Sequence, residues 1–370
     1  MRIRIQRILA AVLMMALLLG GIPVFATETD PAEPTQSATV PATEAPTEAP
    51  TEEPTEAATE EPAEAPTEEP TEPHTYTIDT ESEMYQLCDA LAEGLHFDQL
   101  LLYDATNDEI LYTNTREGEK LYPASVTKLF SAWVALQYLK PSDVVTARDE
   151  MDLVHEGSSL AYIGRGNQLY VQTLVEGMMI PSGNDAAMVL AAAAGRRIAE
   201  DEELSGAEAV QVFVREMNRK AKELGFERSH FSNPDGWHTG SHYTCLNDMA
   251  RIAKLALEDK TIARYMRKYE DEVTFLSGQT VTWENTNLLL SPEDGYYRGD
   301  AVGMKTGYTR QAQSCLMAAI RCSDGRILVI GAFGYDDGNQ RFREVSQLAT
   351  ACKEQIKQEI KQAKEAGSKG

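Results

Sequence analysis

Apolar positions recur at helical spacing through the middle of the chain and in short runs towards both ends of its foldable part. Met84, Leu87, Cys88, Leu91 and Leu95 fall on one face and predict a helix over 82–95. Two apolar runs, 99–105 and 109–113, flank a polar Thr-Asn-Asp and predict a β-hairpin. Val126, Leu129, Phe130, Trp133, Val134 and Leu136 predict a buried helix with Ser125 in its first turn, ending near Lys140-Pro141. Residues 141–170 are mixed, with short extended pieces and Gly157, Gly164 and Gly166. Further helices are predicted over 171–180, 185–199 (apolar nearly all round), 207–224 (closed by Gly225) and 244–257, with Thr244 as a cap. Past residue 270 the pattern changes to strands at 272–276, 280–283, 301–306, 314–320 and 327–333. A last helix runs from Phe342 to about Ile360 and turns polar and lysine-rich from Lys357.

Strands at both ends thus bracket a helical middle. The first hairpin must join the late strands in one sheet. The predicted class is α+β: an antiparallel sheet flanked by helices, with an inserted helical lobe and a cleft between sheet and lobe.

Composition changes this picture only at the N-terminus. Arg2, Arg4 and Arg7 precede an apolar stretch from Ile8 to Leu19, too short to span a bilayer comfortably. Val24-Phe-Ala26 places small residues as a leader-cleavage site requires, so residues 1–26 read as a signal peptide and the protein as exported. Residues 27–75 repeat Thr, Pro, Glu and Ala, with 14 acidic residues and no Lys or Arg. Such a segment cannot bury enough apolar surface to order itself, and reads as an extended disordered linker. Residues 76–365 form the folded domain and 366–370 a polar tail without a membrane anchor.

Removing the linker's −14 and the leader's +3 from the net −24 leaves −13 for residues 76–370, which argues against nucleic acid as a partner. Five cysteines with no C-x-x-C exclude an all-paired scaffold. Cys315 and Cys322 fall on one strand, too far apart to bridge. Buried free thiols are expected for most of the five, with Cys88 and Cys352 on the two terminal helices as the one pair that a bridge would suit.

The candidate chemistry begins at Ser125. Lys128 follows three residues later, so an ammonium and a hydroxyl share one helix face at a helix N-terminus. That is the geometry of a serine nucleophile with a lysine base. Alone, an S-x-x-K arises about once by chance in a chain of this length. Two further motifs sharpen it. Ser182-Gly-Asn184 lies in a turn between two helices of the lobe, and Lys305-Thr-Gly307 lies at a strand end.

In that order the three motifs resemble those of serine penicillin-recognising enzymes. The flanks Tyr122-Pro-Ala-Ser-Val-Thr-Lys128, Ile180-Pro-Ser-Gly-Asn-Asp-Ala186, His230-Phe-Ser-Asn-Pro-Asp-Gly236, Asn285-Thr-Asn-Leu-Leu289 and Gly303-Met-Lys-Thr-Gly-Tyr-Thr309 are similar to the low-molecular-mass D-alanyl-D-alanine carboxypeptidases over roughly residues 80–360. The resemblance implies Ser125 as the acylated nucleophile and Lys128 as general base. It implies Ser182 in proton relay, Asn184 in positioning, and Lys305, Thr306 and Gly307 on the substrate carboxylate. The backbone N–H groups of Ser125 and Tyr308 would form the oxyanion hole. The implied substrate is a peptidoglycan stem peptide ending in D-Ala-D-Ala, cleaved on the cell-wall side of a bacterial membrane without a cofactor, and β-lactams would acylate Ser125.

Physical chemistry supports the division of labour. A lysine acts as a base only when neutral, and burial plus a second cation, here Lys305, should lower its pKa while Lys305 stays charged. Arg310-Gln-Ala-Gln313 departs from the small residue usual after the third motif in the family. The β-rich second domain and C-terminal amphipathic helix of many members are not expected here. A class A β-lactamase would need E-x-x-L-N between Ser182 and Lys305, and none is present. An endopeptidase would use the same residues. A wall-binding module with a degenerate catalytic domain would not need them intact. His238 and His242 have the spacing of two helical metal ligands, but the glycine between them predicts a loop and no third ligand is evident.

Overall fold

The computed structural model describes residues 76–115, 118–226 and 228–367. The leader and linker expected over 1–75 lie outside these residues, as does the end of the polar tail.

The main sheet is antiparallel and six-stranded. Its order is β2 (Glu109–Thr113), β1 (Gln99–Asp104), β10 (Ile327–Tyr335), β9 (Gln313–Arg321), β7 (Ala301–Gly303), with β8 (Thr306–Thr309) also paired to β9. The predicted early hairpin therefore does join late strands, through Leu102 opposite Ile330 and Ile330 opposite Ala318.

Side-chain alternation splits the core in two. Leu100, Leu102, Leu316, Ala318, Leu328 and Ile330 face one side, with the apolar stripes of α1 (Glu83–Ala92) and the C-terminal helix α8 (Gln340–Gly367). Leu101, Tyr103, Met317, Ala319 and Val329 face the other side, in the same core as the helical lobe. That lobe comprises α2 (Thr127–Leu136), α3 (Val171–Met179), α4 (Asn184–Ala199), α5 (Gly206–Glu223), α6 (Leu246–Glu258) and a short α7 (Lys260–Tyr265). Every residue of α4 from Asn184 to Ala192 is buried, as its all-round apolar sequence requires.

Several expectations are corrected. Strands β3 (Val144–Thr146) and β4 (Gln168–Tyr170) form a separate pair, and strands β5 (Glu270–Thr274) and β6 (Thr280–Glu284) pair only with each other, outside the main sheet. Their alternating polar residues suit a half-exposed ribbon, whereas strands buried on both faces need continuous apolar runs. Trp283 anchors this ribbon through Nε1–H to the Ala161 carbonyl at 3.0 Å. The single strand expected over 301–306 is two, broken where Gly303 (φ +115°) and Met304 (φ +89°) enter left-handed backbone. Ser125 lies in a 3-10 turn, Ala124–Val126, that leads into α2. Helix α2 ends at Leu136, short of Pro141, in a tightened turn where Gln137 N–H bonds the Val134 carbonyl. Thr244 does not cap α6. Its backbone bridges Leu121, its hydroxyl meets Ser229, and Cys245 stands at the cap position. Helix α7 went unread because Asp259, which caps it, lies only one residue past α6. Helix α8 continues to Gly367, since its Glu, Lys, Gln and Ala residues have high helix propensity even without burial.

All five cysteines are buried free thiols. Cys88 and Cys352 do face each other, sulfur to sulfur at 3.8 Å, without a bond. Among the described residues no helix is long and apolar enough to cross a membrane.

Candidate active site

The three sequence motifs converge on one cleft of about 200 Å³ between sheet and lobe, lined by Ser125, Ser182, Asn184, Thr306, Gly307 and Tyr308 among others. Each motif carries or adjoins one non-glycine residue in left-handed backbone: Ala124 (φ +47°), Ser182 (φ +64°) and Met304 (φ +89°). Such conformations cost on the order of 1–3 kcal/mol each and persist where the surroundings hold them.

Lys128 is fully buried. Its Nζ lies 2.8 Å from each of three acceptors: Ser125 Oγ, Asn184 Oδ1 and the Asp235 carbonyl. A protonated ammonium would spend its three N–H groups on these three. A neutral amine has two N–H groups, enough for Asn184 and Asp235, and its lone pair is then left facing the Ser125 hydroxyl. Burial lowers the ammonium to about 8, against the opposing pull of the Asp235 and Asp185 carboxylates. Burial, not Lys305, thus accounts for the shift. The charge coupling falls on the other lysine. Lys305 is held well below its ordinary value, first by burial and then by the positive charges of Lys128 and Arg341. An anion in the cleft would favour its ammonium.

Lys305 stands behind the cleft wall, with its Nζ donating to the Thr306 carbonyl at 3.0 Å. Its backbone forms a hydrogen-bonded pair with Met317, at 3.1 and 2.9 Å. Antiparallel pairing alternates, so Tyr308, three residues on and opposite Ser314, is a non-bonded position whose N–H faces away from β9. Gly307 fits β8 against the nucleophile: a Cβ there would sit 2.9 Å from the Pro123 carbonyl and 3.2 Å from Ser125 N. Ser182 lines the cleft, and among the described residues its hydroxyl makes no hydrogen bond to either lysine.

The second motif is fixed from behind. Asp185 is fully buried and accepts the N–H groups of Ala161 and Ala186 (2.8 Å each) and of Ile163 (2.9 Å). Asn184 donates from Nδ2 to Ser158 Oγ at 3.0 Å, so its oxygen is the atom left for Lys128.

The family model for D-alanyl-D-alanine carboxypeptidase matches residues 89–333. The chain belongs to that family. It is 32% identical over 253 residues to the D-alanyl-D-alanine carboxypeptidase DacF of Bacillus subtilis, covering 67% of this chain and 60% of the relative. It is 31% identical over 221 residues to a Streptomyces carboxypeptidase, covering 56% and 71%. The crystal structure of the Streptomyces K15 DD-transpeptidase superposes with a TM-score of 0.61 at 25% identity, covering 70% of this chain and 97% of the other. The chain spans about three-fifths of the length of the Bacillus relative.

Within this member of the carboxypeptidase family, sequence reading missed three contributors. The first is the turn Asn233–Trp237, whose Asp235 carbonyl takes the third Lys128 bond. Asn233 Oδ1 accepts Gly236 N–H (2.8 Å), its Nδ2 donates to the Trp237 carbonyl (2.7 Å), and Ser131 Oγ donates to the Pro234 carbonyl (2.6 Å). Asn-Pro-Asp-Gly announces a turn, but no side-chain pattern announces a carbonyl that takes a lysine bond. The second is Arg341, at the start of α8, whose half-buried guanidinium donates to the carbonyls of Gly307 and Cys315 at 3.2 Å. The third is Thr286, which lines the cleft and bonds the Thr306 hydroxyl. His238 and His242 serve packing. His242 accepts Ser232 N–H at Nδ1 (3.2 Å) and faces Thr127 Oγ1 at 2.8 Å, and burial holds it neutral, with its pKa near 3. His238 stands edge-on to Tyr122 at 4.8 Å.

Proposed function

We propose that this chain is a serine DD-carboxypeptidase that removes the terminal D-alanine from stem peptides by way of an acyl-enzyme on Ser125. The observation that carries this reading is the buried Lys128 Nζ at 2.8 Å from Ser125 Oγ, with its two other contacts both acceptors. Neutral Lys128 takes the Ser125 proton as Oγ attacks the carbonyl carbon of the penultimate D-alanine. The N–H groups of Ser125 and Tyr308 receive the oxyanion. The proton passes to the leaving amine, with Ser182 as relay, the C–N bond breaks, and D-alanine departs. Water, activated by the same amine, then cleaves the ester and returns Ser125. Lys305, Thr306, Gly307 and Arg341 form the wall that takes the substrate carboxylate. A carboxylate there favours charged Lys305 and leaves Lys128 as the neutral partner, so substrate binding itself sets the two protonation states. β-Lactams acylate Ser125 by opening their ring, which keeps the leaving group tethered. The setting that fits this substrate is the extracytoplasmic face of a bacterial envelope, reached through the leader over 1–26.

The test is D-alanine release from a diacylated Lys-D-Ala-D-Ala peptide. One equivalent of D-alanine per peptide is expected. Lys305→Met should raise KM more than it lowers kcat, since the wall and not the base is altered. Cleavage confined to cross-linked dimers would move the assignment to an endopeptidase.

A further inference from the structure

A second cleft lies away from the catalytic one. A cavity of about 710 Å³ opens at the β7 edge of the sheet. Arg267 and Lys268 line it from beyond α7, Gly299 to Val302 from the approach to β7, Arg321 to Ser323 from the end of β9, and Lys353 and Lys357 from α8. Strand β9 reaches the active site at Cys315 and this cleft at Arg321, six residues or roughly 20 Å further on. The two sites are therefore separate.

The charge of this cleft opposes that of the chain. Residues 76–370 carry −13, yet the cleft is lined by five cations and one carboxylate. Most of these charges cancel in pairs. Asp300 is held by Arg298, at 3.0 Å, and by Lys353. Lys268 is held by Glu176 and Asp271, and Lys357 meets Glu354 at 3.3 Å. Two guanidiniums remain, Arg267 and Arg321. Both are exposed, and neither side chain has an ion-pair or hydrogen-bond partner among the described residues. They stand on different walls. Arg321 N–H bonds the Asp300 carbonyl at 2.9 Å, and Arg267 N lies against Gly303.

We propose that this cleft binds a soluble polyanionic chain of phosphodiester type, with Arg267 and Arg321 each taking phosphate oxygens. Guanidinium forks suit oxyanions that offer two free oxygens. A carboxylate presents its acceptors in one plane, whereas a tetrahedral phosphate can be met from two walls at once. The Ser323 hydroxyl adds a neutral donor at the end of β9. A concave cleft admits a chain, while a flat lipid surface would touch only its rim.

The experiment titrates the full chain with short inorganic polyphosphate, whose internal units carry one charge and two free oxygens. Poly-L-glutamate of similar length and phosphatidylglycerol vesicles run beside it. Saturable polyphosphate binding is expected. Arg267→Gln/Arg321→Gln should weaken it at least about tenfold and reduce the salt slope of log K by about two, one for each lost contact. Both residues are exposed, and acylation of Ser125 by a fluorescent penicillin, unchanged in the double variant, certifies its fold. Equal affinity in the double variant would overturn the site. Equal binding of polyglutamate would overturn the phosphate chemistry, and binding to vesicles alone would overturn the soluble chain.

Discussion

Lys128→Met acylates Ser125 about a thousandfold more slowly than the native protein while remaining folded. The substitution removes the amine 2.8 Å from Ser125 Oγ and leaves no other base within hydrogen-bond distance of that hydroxyl among the described residues. The fold survives because an apolar side chain of similar length replaces a charge that is completely buried. The cost falls on Asn184 Oδ1 and the Asp235 carbonyl, which lose a donor, at about 1–3 kcal/mol. Stopped-flow incorporation of a fluorescent penicillin, with a thermal melt of each variant, separates the two effects. The sign of the pH dependence follows from the same group. The reactive form is the deprotonated amine, so native acylation should rise with pH and level off above about 8. A rate independent of pH from 6 to 9 would remove Lys128 from the role of base.

Gly236→Ala carries the second large effect, although residue 236 touches no substrate. Gly236 has φ +85°, a conformation costly for any residue with a Cβ. An added Cβ would fall 1.9 Å from the Ala124 carbonyl oxygen and 2.9 Å from Ser125 N. Backbone lies on both sides, so the nucleophile's turn or the Asn233–Trp237 turn must move. A displacement of about 1 Å at a reacting group costs about a hundredfold in rate. The expected result is at least that loss in acylation, with a stability loss of about 1–3 kcal/mol. Gly240→Ala, where an added Cβ meets nothing within 4 Å, is the matched control and should acylate normally. Normal acylation by Gly236→Ala would mean that the turn does not position the nucleophile.

The sequence disclosed what side-chain periodicity and motif spacing encode. The buried face of α2 follows from Val126, Leu129 and Phe130, and it carries Lys128 onto the Ser125 side by the i, i+3 rule. The pairing of β1 with β10 follows from two apolar runs that need one sheet. Other features depend on information that a linear pattern does not hold. Whether β5 and β6 join the main sheet depends on what covers them, and their alternation alone does not say. The Asp235 bond to Lys128 is made by a main-chain carbonyl, so residue type is silent about it. Arg341 comes to the cleft because α8 packs back across the sheet, 36 residues after Lys305. Burial as the cause of the lowered Lys128 pKa was legible in the sequence, whereas the charge coupling that falls on Lys305, from Lys128 and from Arg341, depends on how three distant segments pack together.

The central claim is that Ser125 becomes covalently acylated. The most direct measurement is the mass of the full chain after incubation with a penicillin, followed by digestion to locate the adduct. The account predicts one added penicillin, on the peptide containing Ser125, and none on Ser125→Ala. An adduct retained in Ser125→Ala, or a folded native protein that gains no mass, would contradict it.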